Sequence, residues 1–159
     1  MIPEGIAIAA GGPGDLDDVM TVMEDSFDPR FGEAWTRAQC AGLLPLPGVW
    51  LTVARGGVGA YGFALARAVA DEAELLLLAV RRDAQRRGIG KMLLEDFEKR
   101  AATRGARRFH LEVRDGNHAI DLYRQRGYDL VARRRNYYKG RDGDCFDALT
   151  LAKASLGCD

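Results

Sequence analysis

Residues 72–90 set the terms for the rest of the chain. Glu72 to Val80 is apolar throughout its second half, Leu75-Leu76-Leu77-Leu78-Ala79-Val80. It falls far short of the ~18 residues of a membrane span and has the length of a buried strand, so the spacing predicts a central strand covered on both faces. A polar loop follows, then Gln85-Arg86-Arg87-Gly88-Ile89-Gly90, and Ile89, Met92, Leu93, Phe97 and Ala101 recur at helical spacing until Gly105 stops the helix. A strand that feeds a helix through such a loop leaves the first helical N–H groups unpaired at the positive end of the dipole. Gly88 and Gly90 let a ligand approach the backbone with no Cβ in the way, and Arg86 and Arg87 add charge. The combination predicts an anion site of the size of a diphosphate. It is neither the dinucleotide-binding Gly-x-Gly-x-x-Gly nor a P-loop, which needs Lys-Ser/Thr after its last glycine.

The flanking sequence alternates strand and helix signals. Ile6 to Ala9 reads as a short strand, and Leu16, Val19, Met20, Val22 and Met23 form one helical face. Pro13, Asp15, Asp17 and Asp18 suit that helix's first turn. A short helix is expected from about Ala34 to Leu43, then a loop through Pro45, Pro47 and Gly48. Val49–Ala54 and Tyr61–Ala68 are β-rich around the turn Arg55-Gly56-Gly57-Val58-Gly59. Arg107 to Val113 is a strand with Phe109, Leu111 and Val113 alternating. Ala119, Ile120, Leu122 and Tyr123 mark a helix ended by Gly127, and Tyr128–Ala132 and Asp144–Leu151 are closing strands. The order βααβββαβαββ predicts an α/β (α+β) fold with a mixed sheet and helices on both faces.

With 159 residues and no repeat or linker, the chain is expected to be a single domain, 1–159, with its core at about 6–151. Its start, Met-Ile-Pro-Glu, has no basic segment or apolar core, so no signal peptide is expected. Cys40, Cys145 and Cys158 are odd in number and at no ligand spacing, as for reduced thiols in a cytoplasm, and Cys145 is expected to be a small buried hydrophobe. His110 and His118 stand at no ligand spacing either, so no metal is expected. Net charge is zero, yet residues 100–141 carry twelve Lys or Arg against Glu112, Asp115, Asp121 and Asp129. A basic second half suits an anionic ligand, or is a solvated surface.

The motif from Gln85 to Gly90 resembles the signature Gln/Arg-x-x-Gly-x-Gly/Ala of the GCN5-related N-acetyltransferase (GNAT) superfamily. Asn117, Ala119, Ile120, Leu122-Tyr123 and Gly127-Tyr128 are similar to that family's Asn…Ala-Ile-x-Leu-Tyr…Gly-Phe segment. Within it, Leu111-Glu112-Val113-Arg114 and Arg134-Arg135-Asn136-Tyr137-Tyr138 resemble the RimI-type enzymes, which acetylate the N-terminal alanine of a small-subunit ribosomal protein.

The resemblance implies a mostly antiparallel sheet with one splayed parallel strand pair, acetyl-CoA as co-substrate, and direct transfer in a ternary complex. It implies that the backbone of Leu78, Ala79 and Val80 pairs with pantetheine and faces the thioester oxygen. Gln85, Arg86, Arg87, Gly88, Ile89 and Gly90 hold the diphosphate, and Asn117 also faces the cofactor. Glu112 matches the family's base and Tyr123 the tyrosine that protonates the departing thiolate. If Leu111 and Val113 face the core, Glu112 points to the other face; a strand glutamate paired with an arginine gives the same pattern. Tyr137 and Tyr138, past the end of a basic strand, form one wall of a peptide groove or cover the core. One spacing departs from the family: Asn117 to Tyr123 is one residue shorter than in RimI-type enzymes, which weakens the equivalence of Asn117.

The expected acceptor is a protein or peptide N-terminus, a ribosomal protein by resemblance, with no membrane and no direct nucleic-acid contact. An α-amine, with a pKa near ~8 against ~10.4 for lysine, asks less of a base at neutral pH. Two alternatives remain at this level. One is a small-molecule amine acetyltransferase of the same fold; the other is a non-catalytic acyl-CoA- or RNA-binding module using the basic second half.

Overall fold

The computed structural model describes residues 5–57 and 59–155. The Met-Ile-Pro-Glu start, Val58 of the expected turn and Cys158 lie outside the described residues. Within them, one seven-stranded sheet is built from β1 (Ala7–Gly11), β2 (Val49–Gly56), β3 (Gly59–Val69), β4 (Glu72–Val80), β5 (Arg108–Arg114), β6 (Asp129–Lys139) and β7 (Cys145–Ala154). The helices are α1 (Leu16–Ser26), α2 (Arg37–Leu43), α3 (Ile89–Thr103) and α4 (Ala119–Gln125). The strands lie in the order β1-β2-β3-β4-β5-β7-β6, and every neighbouring pair is antiparallel except β4 and β5.

The helices cover both faces, as the periodicity predicts. On one, Leu16, Val19, Val22 and Met23 of α1 and Cys40 of α2 pack on Leu51, Val53, Phe63, Leu65, Leu77 and Ala79. On the other, Ile89, Leu93, Leu94, Phe97 and Ala101 of α3, with Tyr123 of α4, pack on Ala64, Ala73, Leu75, Leu111, Val113 and Leu151. Each large apolar side chain so buried contributes about 1.5–3 kcal/mol. α2 starts later than expected, at Arg37, because Thr36 caps it: the Gln39 N–H donates to Thr36 Oγ1 at 3.2 Å and the Thr36 N–H to Gln39 Oε1 at 2.7 Å.

One irregularity in β4 shapes the site. Leu65 of β3 faces Leu77 and Ala66 faces Leu75, which leaves Leu76 as an extra residue. The bulge exchanges the strand's two faces: Ala73 and Leu75 look toward α3, whereas Leu77 and Ala79 look toward α1. It also coincides with the end of parallel pairing. β4 pairs with β5 only over Glu72–Leu75 and Arg108–Leu111, while β5 goes on pairing with β7 to Arg114. Bulges bend and over-twist a strand, and here the sheet opens along 76–80.

Two expectations are corrected. β6 does not stop at Ala132 but runs to Lys139, so Tyr137 and Tyr138 lie within the strand and not beyond it. Its Arg133-Arg134-Arg135-Asn136 stretch has no alternation because this outer strand is solvated along almost its whole length. Cys145 opens β7 and is exposed, not buried, because it sits beside the turn at 140–144.

Candidate active site

The loop after β4 has the geometry of an anion cradle. Gly88 caps α3 at φ 84°, and Arg86 stands at φ 64°, a left-handed conformation that costs a side-chain-bearing residue roughly 1–2 kcal/mol. Such strain in a phosphate-type loop is a functional hint, because it orients successive N–H groups to one side. Arg86 and Arg87 are exposed, and among the described residues neither makes an ion pair, so their charge is available to a ligand. Gln85 is exposed as well, but its amide donates to the Val80 carbonyl at 3.0 Å and fastens the loop to the end of β4. Ile89 is buried with Leu93 and Phe97, so only its backbone faces the cradle. A Cβ on Gly90 would lie 3.3 Å from Leu122 of α4, so this glycine also serves the packing of α3 on α4.

Where β4 and β5 part, a cavity of roughly 120 Å3 opens. Its walls come from β4 (Glu74 to Leu78), β5 (Leu111 to Val113), the segment between α1 and α2 (Phe27, Glu33, Trp35), α4 with the residues before it, and β6. The opening joins the two faces of the sheet. Glu112 projects opposite Leu111 and Val113, which are core residues on the α3 face, as the alternation predicts. Its carboxylate is 16% exposed and lies 2.8 Å from Nε of Arg134, so the arginine-paired reading describes it too.

Tyr123 enters from α4, is 5% exposed, and packs edge-on against Tyr128 at 6.0 Å. Tyr123 lines the cavity, and its hydroxyl makes no hydrogen bond with the described residues. Burial, and secondarily the Glu33 charge, push its ionisation far above the usual tyrosine range, so it is a proton donor at any physiological pH. Tyr138 is raised the same way, by burial and then by Glu33 and Glu112; Tyr137 is raised by burial and by the Glu112 carboxylate beside it. The two rings meet at 90°, 5.0 Å apart.

Glu33 is the residue that the sequence reading passed over. Its carboxylate is 9% exposed and fully engaged: Oε1 accepts from Nε of Arg114 at 2.9 Å, and Oε2 from Asn117 Nδ2 at 2.7 Å. Asn117 Oδ1 in turn accepts from the Ala119 N–H, at the start of α4, at 2.8 Å. Arg114 is clamped over the Phe31 ring at 3.7 Å. The α1–α2 segment is thereby fastened to the helix that carries Tyr123. It is also zipped to the turn after β6, where the Arg141 N–H donates to the Pro29 carbonyl at 3.1 Å. A Cβ on Gly32 would collide with the Lys139 carbonyl, and one on Gly140 with that of Arg30. No local signal in the sequence marks it, since its partners Arg114 and Asn117 lie more than eighty positions away.

The structure therefore brings Leu78, Glu112, Asn117, Tyr123, Tyr137 and Tyr138 around one cavity. Ala79, Val80 and residues 85–90 lie beyond it, toward the cradle. Asn117 sits at the junction, with both its side-chain atoms already bonded within the protein. Carboxylates of Glu33, Glu74 and Glu112 all line the cavity, but each has an arginine: Arg114, Arg67 at 3.8 Å and Arg134.

The family model described as "Acetyltransferase (GNAT) family" matches residues 16–128. The [Ribosomal protein bS18]-alanine N-acetyltransferase of Salmonella typhimurium is 45% identical over 91 residues, which is 57% of this chain and 61% of that relative. The match thus spans about three fifths of the length of the curated relatives. Among solved structures, the ribosomal-protein-S18-alanine N-acetyltransferase from Escherichia coli superposes with a TM-score of 0.83 at 29% identity, covering 94% of each chain. Ard1 from Thermoplasma volcanium superposes with 0.81 at 26% identity, covering 96% of this chain and 99% of its own.

Proposed function

The chain belongs to the acetyltransferase (GNAT) family, and on that premise we propose that it transfers the acetyl group of acetyl-CoA to the N-terminal α-amine of a protein. The observation that carries this reading is the opening of the sheet beyond Leu75 and Leu111, with Glu112 and Tyr123 on its two sides. The inferred acceptor, the N-terminal alanine of a ribosomal protein, is supported by what the relatives are named for. It would place the enzyme in the cytoplasm with its acceptor. Among the described residues no helix is long and apolar enough to cross a membrane.

The cradle fits the co-substrate. Two left-handed residues before a helix start, and two unpaired guanidinium groups, suit a diphosphate. The open edge of β4 at Leu78, Ala79 and Val80 suits a chain that bears amides. Arg86, Arg87, Gly88 and the backbone of Ile89 and Gly90 would hold the diphosphate, Gln85 would hold the loop in shape, and Asn117 would border the same channel. When bound, acetyl-CoA supplies an acetyl group activated as a thioester.

Glu112 accepts the proton that the amine loses, directly or through water. Arg134 keeps its carboxylate in the cavity and leaves Oε2 without an ion pair. Tyr123, at the cavity wall, holds its proton ready for the departing thiolate. Backbone N–H groups along β4 stabilise the developing oxyanion. The three carboxylates of the cavity would favour a polyamine acceptor if they were free. Their pairing with Arg67, Arg114 and Arg134 removes that net charge and favours a peptide end.

Thiol release from acetyl-CoA with an alanine-starting peptide tests the reading. Wild type should release thiol and Glu112→Gln should do so about a hundredfold more slowly, the usual size of a general-base contribution. No release with any amine would leave a binding module instead.

A further inference from the structure

Neighbouring residues of a regular strand point to opposite faces, yet Tyr137 and Tyr138 both line the same cavity. What permits this is a break in β6. Arg134 faces Ala148 and Tyr138 faces Phe146, so Arg135, Asn136 and Tyr137 lie opposite Asp147 alone. In the middle, Asn136 takes φ 54°, the left-handed region that asparagine tolerates better than other side-chain-bearing residues.

Asp147 holds the break in place. Its Oδ1 accepts the Asn136 N–H at 3.0 Å, doing for this backbone what a ladder carbonyl does elsewhere in the strand. Its Oδ2 accepts from Arg133 at 2.8 Å, and the same guanidinium nitrogen reaches Asp115 at 2.7 Å, next to the end of β5. The bond from Asn136 and the Arg133 guanidinium keep the Asp147 carboxyl below the usual carboxylate range. Asp147 itself is not a cavity residue.

We propose that Asp147 is a positioning residue for the acceptor: by holding Asn136 in its left-handed turn it brings both tyrosines to one wall of the cavity. The inference rests on the acyl-transfer reading of that cavity. The cradle from Gln85 to Gly90 is built on other elements, so disturbing this break acts on the acceptor and leaves the co-substrate alone. Asp147→Asn keeps an oxygen for the Asn136 N–H, whereas Asp147→Ala does not. Asn136→Val attacks the same turn from the other side, since a β-branched residue at φ 54° is an outlier.

Steady-state kinetics decide it, using whichever amine wild type acetylates best and calorimetric acetyl-CoA binding as the check on folding. Asp147→Ala and Asn136→Val should each raise the acceptor KM about tenfold, with the KM and Kd for acetyl-CoA unchanged. Asp147→Asn should return the acceptor KM to within about twofold of wild type, because the hydrogen-bond acceptor is restored. An unchanged acceptor KM in either folded variant overturns the proposal. So does an equal rise in both KM values, or loss of acetyl-CoA binding in both variants, which would make the break a folding element. Failure of wild type with every amine defeats the acyl-transfer reading instead.

Discussion

At the residue scale the account turns on two groups with opposite duties. Glu112 must take up a proton, and its side chain is 16% exposed at the cavity with Arg134 beside it. Tyr123 must be neutral to give one, and burial at 5% exposure holds it so. Because its ionisation is raised, the proton stays on Tyr123 as pH climbs through the ordinary tyrosine value. The log of kcat/KM for an α-amine acceptor should therefore rise to a plateau above pH ~8 and show no descending limb centred near pH ~10. A fall centred near pH ~10 that disappears in Tyr123→Phe would mean the hydroxyl ionises normally, against the burial argument. The position of both residues at the cavity was legible in the sequence: one from strand alternation and resemblance, the other from its place in Leu122-Tyr123. Glu33 was not, because its meaning lies in Arg114 and Asn117, more than eighty positions away, and nothing local marks it.

Among the elements, α3 and its loop were the easiest to read and β6 the hardest. An apolar strand, a glycine pair and a helical repeat each carry their own signal, and together they locate the cradle. β6 carries none, since an outer strand has little buried surface to impose a period of two, and Asn136 interrupts it further. Nor did the sequence mark the bulge at Leu76, for a run of four leucines hides the exchange of faces. The cradle yields a direct prediction. Since Arg86 and Arg87 make no ion pair among the described residues, replacing both with alanine should leave Tm nearly unchanged. Affinity for acetyl-CoA should fall about tenfold at low salt and less at 0.5 M, as expected for unpaired surface charge. Calorimetric Kd values at two salt concentrations check this; an unchanged Kd would move the diphosphate elsewhere.

Across the whole molecule, one buried network ties α3 to the far end of the sheet. Glu98 of α3 is 8% exposed and accepts from Tyr128 at 2.8 Å, from Lys153 of β7 at 3.0 Å and from Arg126 at 2.5 Å. The carboxylate thus binds α3 to the segment after α4 and to β7, and with it the two helices that border the cradle and the cavity. Glu98→Ala leaves the largely buried Lys153 ammonium without its counter-charge, a loss of about 3–5 kcal/mol for a buried pair broken on one side. Urea unfolding should show it as a lower midpoint at unchanged slope, while a loss under about 1 kcal/mol would mean the network is solvated.

The central claim is that the cavity between β4 and β5 serves acetyl transfer to a protein N-terminus. Its most direct test is initial-rate thiol release from acetyl-CoA with three acceptors side by side: an alanine-starting peptide, the same peptide N-terminally blocked but carrying a free lysine, and spermidine. The product mass would locate the added acetyl group. The account predicts that kcat/KM is highest for the free N-terminus, with acetyl on the α-amine, and that the blocked peptide turns over poorly. Equal or faster turnover of spermidine or of the lysine peptide would contradict it.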